Sequence, residues 1–281
     1  KDVQITKIPN ICRWHDPVKT HDTSENVFTS SRENKVDEFC SEVPEYLKEL
    51  FQNSCKNIKS NTAKKTLADV LVKHKDAFAK SKTELGSCSV LKHRIDTAHA
   101  APVRQPLRRT PQAFEKEEEK YLRDQIETGV VRPSSSAWSS PVVLVRKNDG
   151  SVRWCVDYRK INYLTIKDAY ILPRIDMCLD CLSSAKIFSC FDLQSGYWQI
   201  ELNEKDRKKT AFTTKYGLFE YTKMHFGLCN ASSTFQGCME LVFTGLQWKT
   251  LLIYLDDIII FSSNLEDHFK QLDEVLNRLR E

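Results

Sequence analysis

"TLLIYLDDIIIFS" occupies positions 250–262. Leu251, Leu252 and Ile253 lead into two adjacent acids, Asp256 and Asp257, and Ile258, Ile259 and Ile260 follow them. Burial favours the oily residues and penalises ionised ones, so the two acids do not belong in the middle of a buried element. The β-branched content predicts two strands of four or five residues hinged at Asp256-Asp257, not one continuous helix. The acids then stand on a tight turn, exposed at one edge of a sheet. A third acid, Asp192 in "IFSCFDLQSG", ends another predicted strand, with Phe188 and Cys190 on its own face and Ile187 and Phe191 on the other.

Brought together without a counter-charge, three carboxylates repel one another and their pKa values rise. Divalent cations reverse that balance, because hard oxygen ligands are what Mg²⁺ takes. Two such ions about 3.5–4 Å apart activate an attacking hydroxyl and neutralise a leaving phosphate. A solvated acidic turn is the bland alternative for any Asp-Asp pair. Asp192 at a strand end favours the metal reading.

The rest of the chain sets the bounds. Its 281 residues suffice for one large or two modest domains, and 41% hydrophobic with 28% charged residues is ordinary globular composition. No run approaches the roughly 18 apolar residues that span a bilayer, so no membrane partner is expected. A net charge of +4 permits a nucleic-acid partner without demanding one. "KDVQITKIPN" has no initiator Met and no signal-peptide core, and the chain stops inside the helical pattern "LDEVLNRLRE". A piece of a larger polypeptide is expected. The ten cysteines are scattered, and without a secretion signal they read as reduced thiols in a cytosolic or nuclear setting. Cys178 and Cys181 have metal-like spacing but lack a second pair, so two small apolar residues on a helix explain them better than zinc.

Residues 1–42 are polar and aperiodic, a linker or the edge of an upstream region. A helical lead-in spans 43–101: "VPEYLKELFQNSCKNI" opens at Pro44 with Leu47, Leu50 and Phe51 on one stripe, and "TAKKTLADVLVKHKDAF" aligns Leu67, Val70, Leu71 and Phe78. "PVRQPLRR" is extended and basic, and the charged helix after it closes at Gly129. "SSPVVLVRK" and "SVRWCVDYR" form a hairpin through Asn148-Asp149-Gly150. A helix starts near Pro173. The strand "AKIFSCFDL" turns at "QSG" and returns as "YWQIEL", a hairpin centres on Gly217, and "NASSTFQGCMELVFTGL" is a helix capped by Asn230 or Ser232. A final amphipathic helix begins near 265. Hairpins dominate, so the fold class is α+β with a largely antiparallel sheet.

In order and spacing, "SSPVVLVRKNDGSVRWCVDYRKIN", "FSCFDLQSGYWQIEL", "KTAFTTKYGLFEYTKMHFGLCNASSTFQ" and "YLDDIIIFS" resemble the reverse transcriptase domain of gypsy-type LTR retrotransposon Pol polyproteins. The resemblance runs from about Pro102 to the C-terminus. It implies a right-hand polymerase, with fingers over 102–170 and a palm with a ferredoxin-like antiparallel sheet over 171–281, ending at the thumb connection with the thumb missing. It implies an RNA-directed DNA polymerase that joins a dNTP to a primer 3′-hydroxyl on an RNA or DNA template. Asp192 and Asp256 then carry two Mg²⁺ ions (or Mn²⁺) with help from the Leu193 carbonyl, and Asp257 is the third catalytic acid. Lys147 and Arg153 resemble the basic pair that closes on the triphosphate. Tyr197 matches the aromatic under the incoming sugar, Phe226 and Gly227 the segment beside the nucleotide, and Gln236, on the helix behind it, a primer or template contact. Tyr254 resembles the residue at the primer end or template. Asp157 and Arg159 read as a structural ion pair.

The resemblance also implies the other parts of Pol (protease, ribonuclease H and integrase) as partners, and a cytoplasmic location in virus-like particles or the nucleus. It sets no oligomeric state. Members of this type usually carry proline where this chain has His225 and Ser232, so looser local structure is expected at both. "RIDTAHA" offers Asp96-Thr97 without the glycine of an aspartic protease, and no protease activity is expected from it.

Overall fold

A computed structural model describes residues 5–7, 12–13, 39–81, 84–146, 150 and 152–280. The chain divides into two compact units, Lys1–Gly86 with Leu172–Gln194 and Met239–Glu281, and Ser87–Ile171 with Ser195–Cys238. The units interleave along the sequence.

The first unit is built on an antiparallel sheet. The strand Ile187–Leu193 is its centre, flanked on one side by Asp257–Ser262 and then Leu251–Tyr254, and on the other by Ile5–Lys7 and Cys12–Arg13. Along Ile187–Leu193 burial alternates, with Ile187, Ser189, Phe191 and Leu193 inward, as a period of two requires. Ile258 and Ile260 are fully buried. The helix Leu265–Arg280 covers the Asp257–Ser262 strand with a stripe of Phe269, Leu272, Val275, Leu276 and Leu279, the i, i+3, i+4 spacing of an amphipathic helix.

His268 on that helix is buried and bonds Ser189 Oγ at 2.8 Å through Nε2 and Ser262 Oγ at 2.9 Å through Nδ1. Burial drives its pKa down to about 4, so it ties helix to sheet as a neutral ring. The helix Asn61–Lys73 packs beside Leu265–Arg280, joined by Lys73 Nζ and His74 Nε2 to Asp273 Oδ1 at 2.6 and 2.7 Å. The expected stripe on Asn61–Lys73 is corrected at one residue. That helix stops at Lys73, and Phe78 is buried beyond a separate turn, Lys75–Ala77.

The second unit contains a five-stranded mixed sheet in the order Val131–Pro133, Gly217–Tyr221, Phe212–Thr214, Ser140–Arg146, Val152–Val156. The hairpins expected around Gly150 and Gly217 are both present. Residues 147–149 of the first turn lie outside the described residues. Gly129, at φ +71°, follows the charged helix Glu115–Glu127. The expected return strand "YWQIEL" is replaced by a helical turn, Gly196–Gln199, and a strand, Ile200–Leu202, that pairs in parallel with Cys88–His93. A left-handed Ser195, at φ +47°, redirects the chain there, which hydrophobic pattern alone does not report. Among the described residues no helix is long and apolar enough to cross a membrane, and the nine cysteines whose side chains are described form no disulfide.

The sheet of the first unit depends on Phe191, which is fully buried. Phe191→Ala is expected to lower unfolding stability by about 3–5 kcal/mol in urea denaturation, the usual cost of an aromatic-sized cavity.

Candidate active site

Tyr254 and Asp257 are paired residues of the hairpin, so Leu255 and Asp256 form a two-residue loop. Such loops need positive φ to match strand twist, and Leu255 supplies it at +54°. A non-glycine residue held there costs about 1–2 kcal/mol, a strain that clusters at functional sites. Asp257 also pairs with Asp192 of the neighbouring strand, which puts their Cα atoms about 4.5–5.5 Å apart. Leu193 N donates to the Asp256 carbonyl at 3.5 Å. Strand register therefore sets Asp192 level with Asp257, and the loop that carries Asp256 lies beside Leu193.

The acids differ in environment. Asp257 is exposed, whereas Asp192 and Asp256 are half-buried. Burial first, then the charges of Asp192 and Asp257, push the Asp256 carboxyl up to about 6. Asp256 Oδ1 is enclosed and has no hydrogen-bond partner. An orphaned carboxylate oxygen beside two more carboxylates fits a divalent cation, and the donor set is all oxygen. Among the described residues, however, no three His, Cys, Asp or Glu side chains stand close enough to form a ready ligand cage. The two findings are compatible, because Coulomb influence extends well beyond coordination distance.

Cys178 and Cys181 lie on the helix Ile175–Leu182, and the Cys181 thiol donates to the Trp248 carbonyl at 3.3 Å. The helical reading of that pair holds. In "RIDTAHA", Asp96 Oδ1 accepts from Ala98 N at 2.9 Å, closing a local turn.

The remaining expected site residues divide by unit. Tyr254, in the first, is 37% exposed at the strand end next to the acids. In the second, Arg153 is exposed on the hairpin opposite Val145, and Lys147 lies outside the described residues. Tyr197, expected at the start of the return strand "YWQIEL", is 7% exposed on the turn Gly196–Gln199. Its ring lies 4.6 Å from Phe226 and stacks at 5.2 Å on Phe235. Phe226 is 47% exposed, and Gly227 takes φ +89°, which a side chain would strain. Gln236 is fully buried. It is expected at primer or template, and in this structure its side chain is enclosed within the second unit.

Asn162 escaped the sequence reading. Its Nδ2 donates to the Gly227 carbonyl at 2.7 Å and its Oδ1 accepts from Cys229 N at 3.0 Å, so it clips the loop beside Phe226. The asparagine ending "VDYRKIN" was the only signal available. Asp157 and Arg159 do form the expected ion pair, at 2.7 Å, with Arg108 at 3.0 Å. The hydrogen-bonded Arg159 holds the Asp157 carboxyl down to about 2.

Neither replaced proline leaves a gap. Buried His225, its pKa lowered to about 4 by burial, donates from Nδ1 to the Phe226 carbonyl at 2.6 Å. Ser232 Oγ lies 3.2 Å from the Tyr197 hydroxyl. Asn230 stands just before the helix Ala231–Val242, but its side chain serves another loop instead of capping. It donates to the Ile166 carbonyl at 2.8 Å and accepts from Asp168 N at 3.1 Å.

Residues 145–281, which hold all three acids, match the family model described as reverse transcriptase (RNA-dependent DNA polymerase). This chain carries a reverse transcriptase domain. It is 34% identical to the retrovirus-related Pol polyprotein from transposon 297 of Drosophila melanogaster, over 94% of this chain and 26% of that protein. It is 35% identical to the corresponding polyprotein from transposon gypsy of the same fly, over 78% of this chain and 22% of that one. The chain thus spans about a quarter of the length of these relatives. Among solved structures, the foamy viral protease-reverse transcriptase in complex with RNA/DNA hybrid superposes with a TM-score of 0.73 at 21% identity, over 94% of this chain and 33% of that one. That likeness concerns the fold, the α+β palm-and-fingers type.

The raised Asp256 carboxyl gives the reverse transcriptase domain a pH signature. A carboxyl raised in the folded state is bound to its proton more tightly there, so stability is lost as pH rises from about 4 through about 6. Asp256→Asn removes the ionisation. In metal-free buffer at pH 7.5 it is expected to raise the Tm by roughly 2–4 °C, about 1 kcal/mol after discounting for solvent screening. At pH 3.5 it should give no such gain. An equal gain at both pH values in thermal unfolding would show that burial of charge is not the cause.

Proposed function

We propose that this reverse transcriptase domain catalyses RNA-directed DNA synthesis. The primer 3′-hydroxyl loses its proton and attacks the α-phosphate of a dNTP, one P–O bond forms, and pyrophosphate leaves as the bond to the β-phosphate breaks. The observation that carries this reading is the register that sets Asp192 opposite Asp257 beside the partner-less Oδ1 of half-buried Asp256. A protein that only bound nucleic acid would gain nothing from three anionic groups turned toward phosphates.

Phosphoryl transfer needs positioning and charge neutralisation more than covalent help from the protein. By this reading Asp192, Asp256 and the Leu193 carbonyl hold divalent cations, Mg²⁺ in the first instance, with Asp257 beside them. Bound there, the cations supply Lewis acidity toward the hydroxyl and charge neutralisation toward the leaving group. The strands keep the carboxylates in place, so little reorganisation accompanies the reaction. Tyr254, exposed next to the acids, is the candidate contact for the primer end. In the second unit Tyr197, Phe226 and Gly227 are assigned to the incoming nucleotide, and Arg153 with Lys147 to its triphosphate, where a guanidinium suits bidentate contact. Similarity to Pol polyproteins supports protease, ribonuclease H and integrase segments as neighbours of this domain in the full product.

Primer extension on an RNA template with Mg²⁺ tests the reading. Wild type is expected to extend, chelation to stop it, and Asp256→Asn to lower the rate by at least about 10²-fold. Extension should also weaken steeply between about 50 and 200 mM salt, since template is gripped through phosphate contacts. Template binding by both proteins with extension by neither would class the domain as a binder instead.

A further inference from the structure

Ser232 stands where the resemblance places proline, and its hydroxyl has found a use. Ser232 Oγ is 3.2 Å from the hydroxyl of Tyr197. The Tyr197 ring stacks on Phe235 at 5.2 Å and meets the Phe226 ring, tilted by 50°, at 4.6 Å. Ring contacts of this kind are broad in direction. A hydrogen bond at the phenol end adds a directional constraint that they do not supply. The serine side is itself anchored, because Ser232 sits in the first turn of Ala231–Val242. The Asn230 side chain just before it is tied to Ile166 and Asp168. Proline at this position has neither a hydroxyl nor a backbone N–H and could not make the bond.

We propose that Ser232 is a positioning residue for sugar selection: its hydroxyl fixes the Tyr197 side chain, and so sets how strictly the site rejects a 2′-hydroxyl on the incoming nucleotide. This rests on the assignment of Tyr197 to the nucleotide given above. A ribonucleotide differs from a deoxyribonucleotide by that one group, so a small displacement of the ring facing it changes the ratio of the two substrates more than it changes deoxynucleotide turnover. By this proposal the influence of Ser232 runs through Tyr197.

The test uses Ser232→Ala, Ser232→Pro and Ser232→Thr in the full chain, with single-nucleotide extension by dCTP and by CTP. Alanine and proline are expected to lower the ratio of kcat/KM for dCTP over CTP by about two- to tenfold, the worth of one neutral hydrogen bond. Threonine, which keeps the hydroxyl, should restore it. An unchanged ratio in the alanine and proline variants overturns the inference.

A second measurement does not depend on activity. In thermal unfolding of Ser232→Ala, Tyr197→Phe and the double variant, the Tm losses should not add, the double variant losing no more than the larger single one. Additive losses would mean that no bond couples the pair, and overturn the inference as well. If wild type extends nothing while the losses remain non-additive, it is the polymerase reading that fails, and the selection role fails with it.

Discussion

Everything in the first unit is organised around one pairing, the antiparallel register between Ile187–Leu193 and Asp257–Ser262. It places Asp192 across from Asp257 and brings the two-residue loop carrying Asp256 alongside. A slip of one residue would turn each side chain of a strand to the opposite face, sending Asp192 inward and Phe191 out. The buried residues Phe191, Ile258 and Ile260 hold that register by the free energy of their own burial. The apolar strands and the acidic turn are thus one device, because the cost of crowding three carboxylates is met by the packing of the strands that carry them.

The electrostatic consequence is graded. Asp256, partly enclosed and flanked by two acids, holds its proton to about pH 6, while Asp257 stays in solvent. Near neutral pH without a cation, the site is under electrostatic tension that a divalent ion would relieve. The strained Leu255 belongs to the same picture. A positive φ at a leucine persists because the paired strands on either side determine the turn between them.

Much of this could be read from the sequence, for physical reasons. The two-strand reading of 250–262 followed from β-branched residues flanking polar ones, and Asp192 from a strand with period two. The helix stripes emerged because burial at i, i+3 and i+4 leaves a mark in composition. What was not legible depended on backbone direction or on tertiary partners. The reversal at left-handed Ser195 looks like an ordinary hairpin in sequence, so "YWQIEL" read as a return strand. Phe78 satisfied a helical stripe although the helix had already ended. Gln236 is polar and was assigned to primer or template by the resemblance, and its full burial on the inward face of its helix has no mark in the sequence. His225 and Ser232 read as losses because a missing proline is visible in sequence, while the hydrogen bonds that replace it are visible only in three dimensions.

The most direct measurement is the titration of the Asp256 carboxyl carbon by NMR in protein labelled at aspartate, with and without Mg²⁺. Without the cation the resonance should titrate near pH 6, and saturating Mg²⁺ should move that titration to lower pH, because the ion binds the ionised form. A carboxyl that titrates near 4 and ignores Mg²⁺ would contradict a site in which register and burial raise the Asp256 carboxyl beside two further acids and a cation answers it.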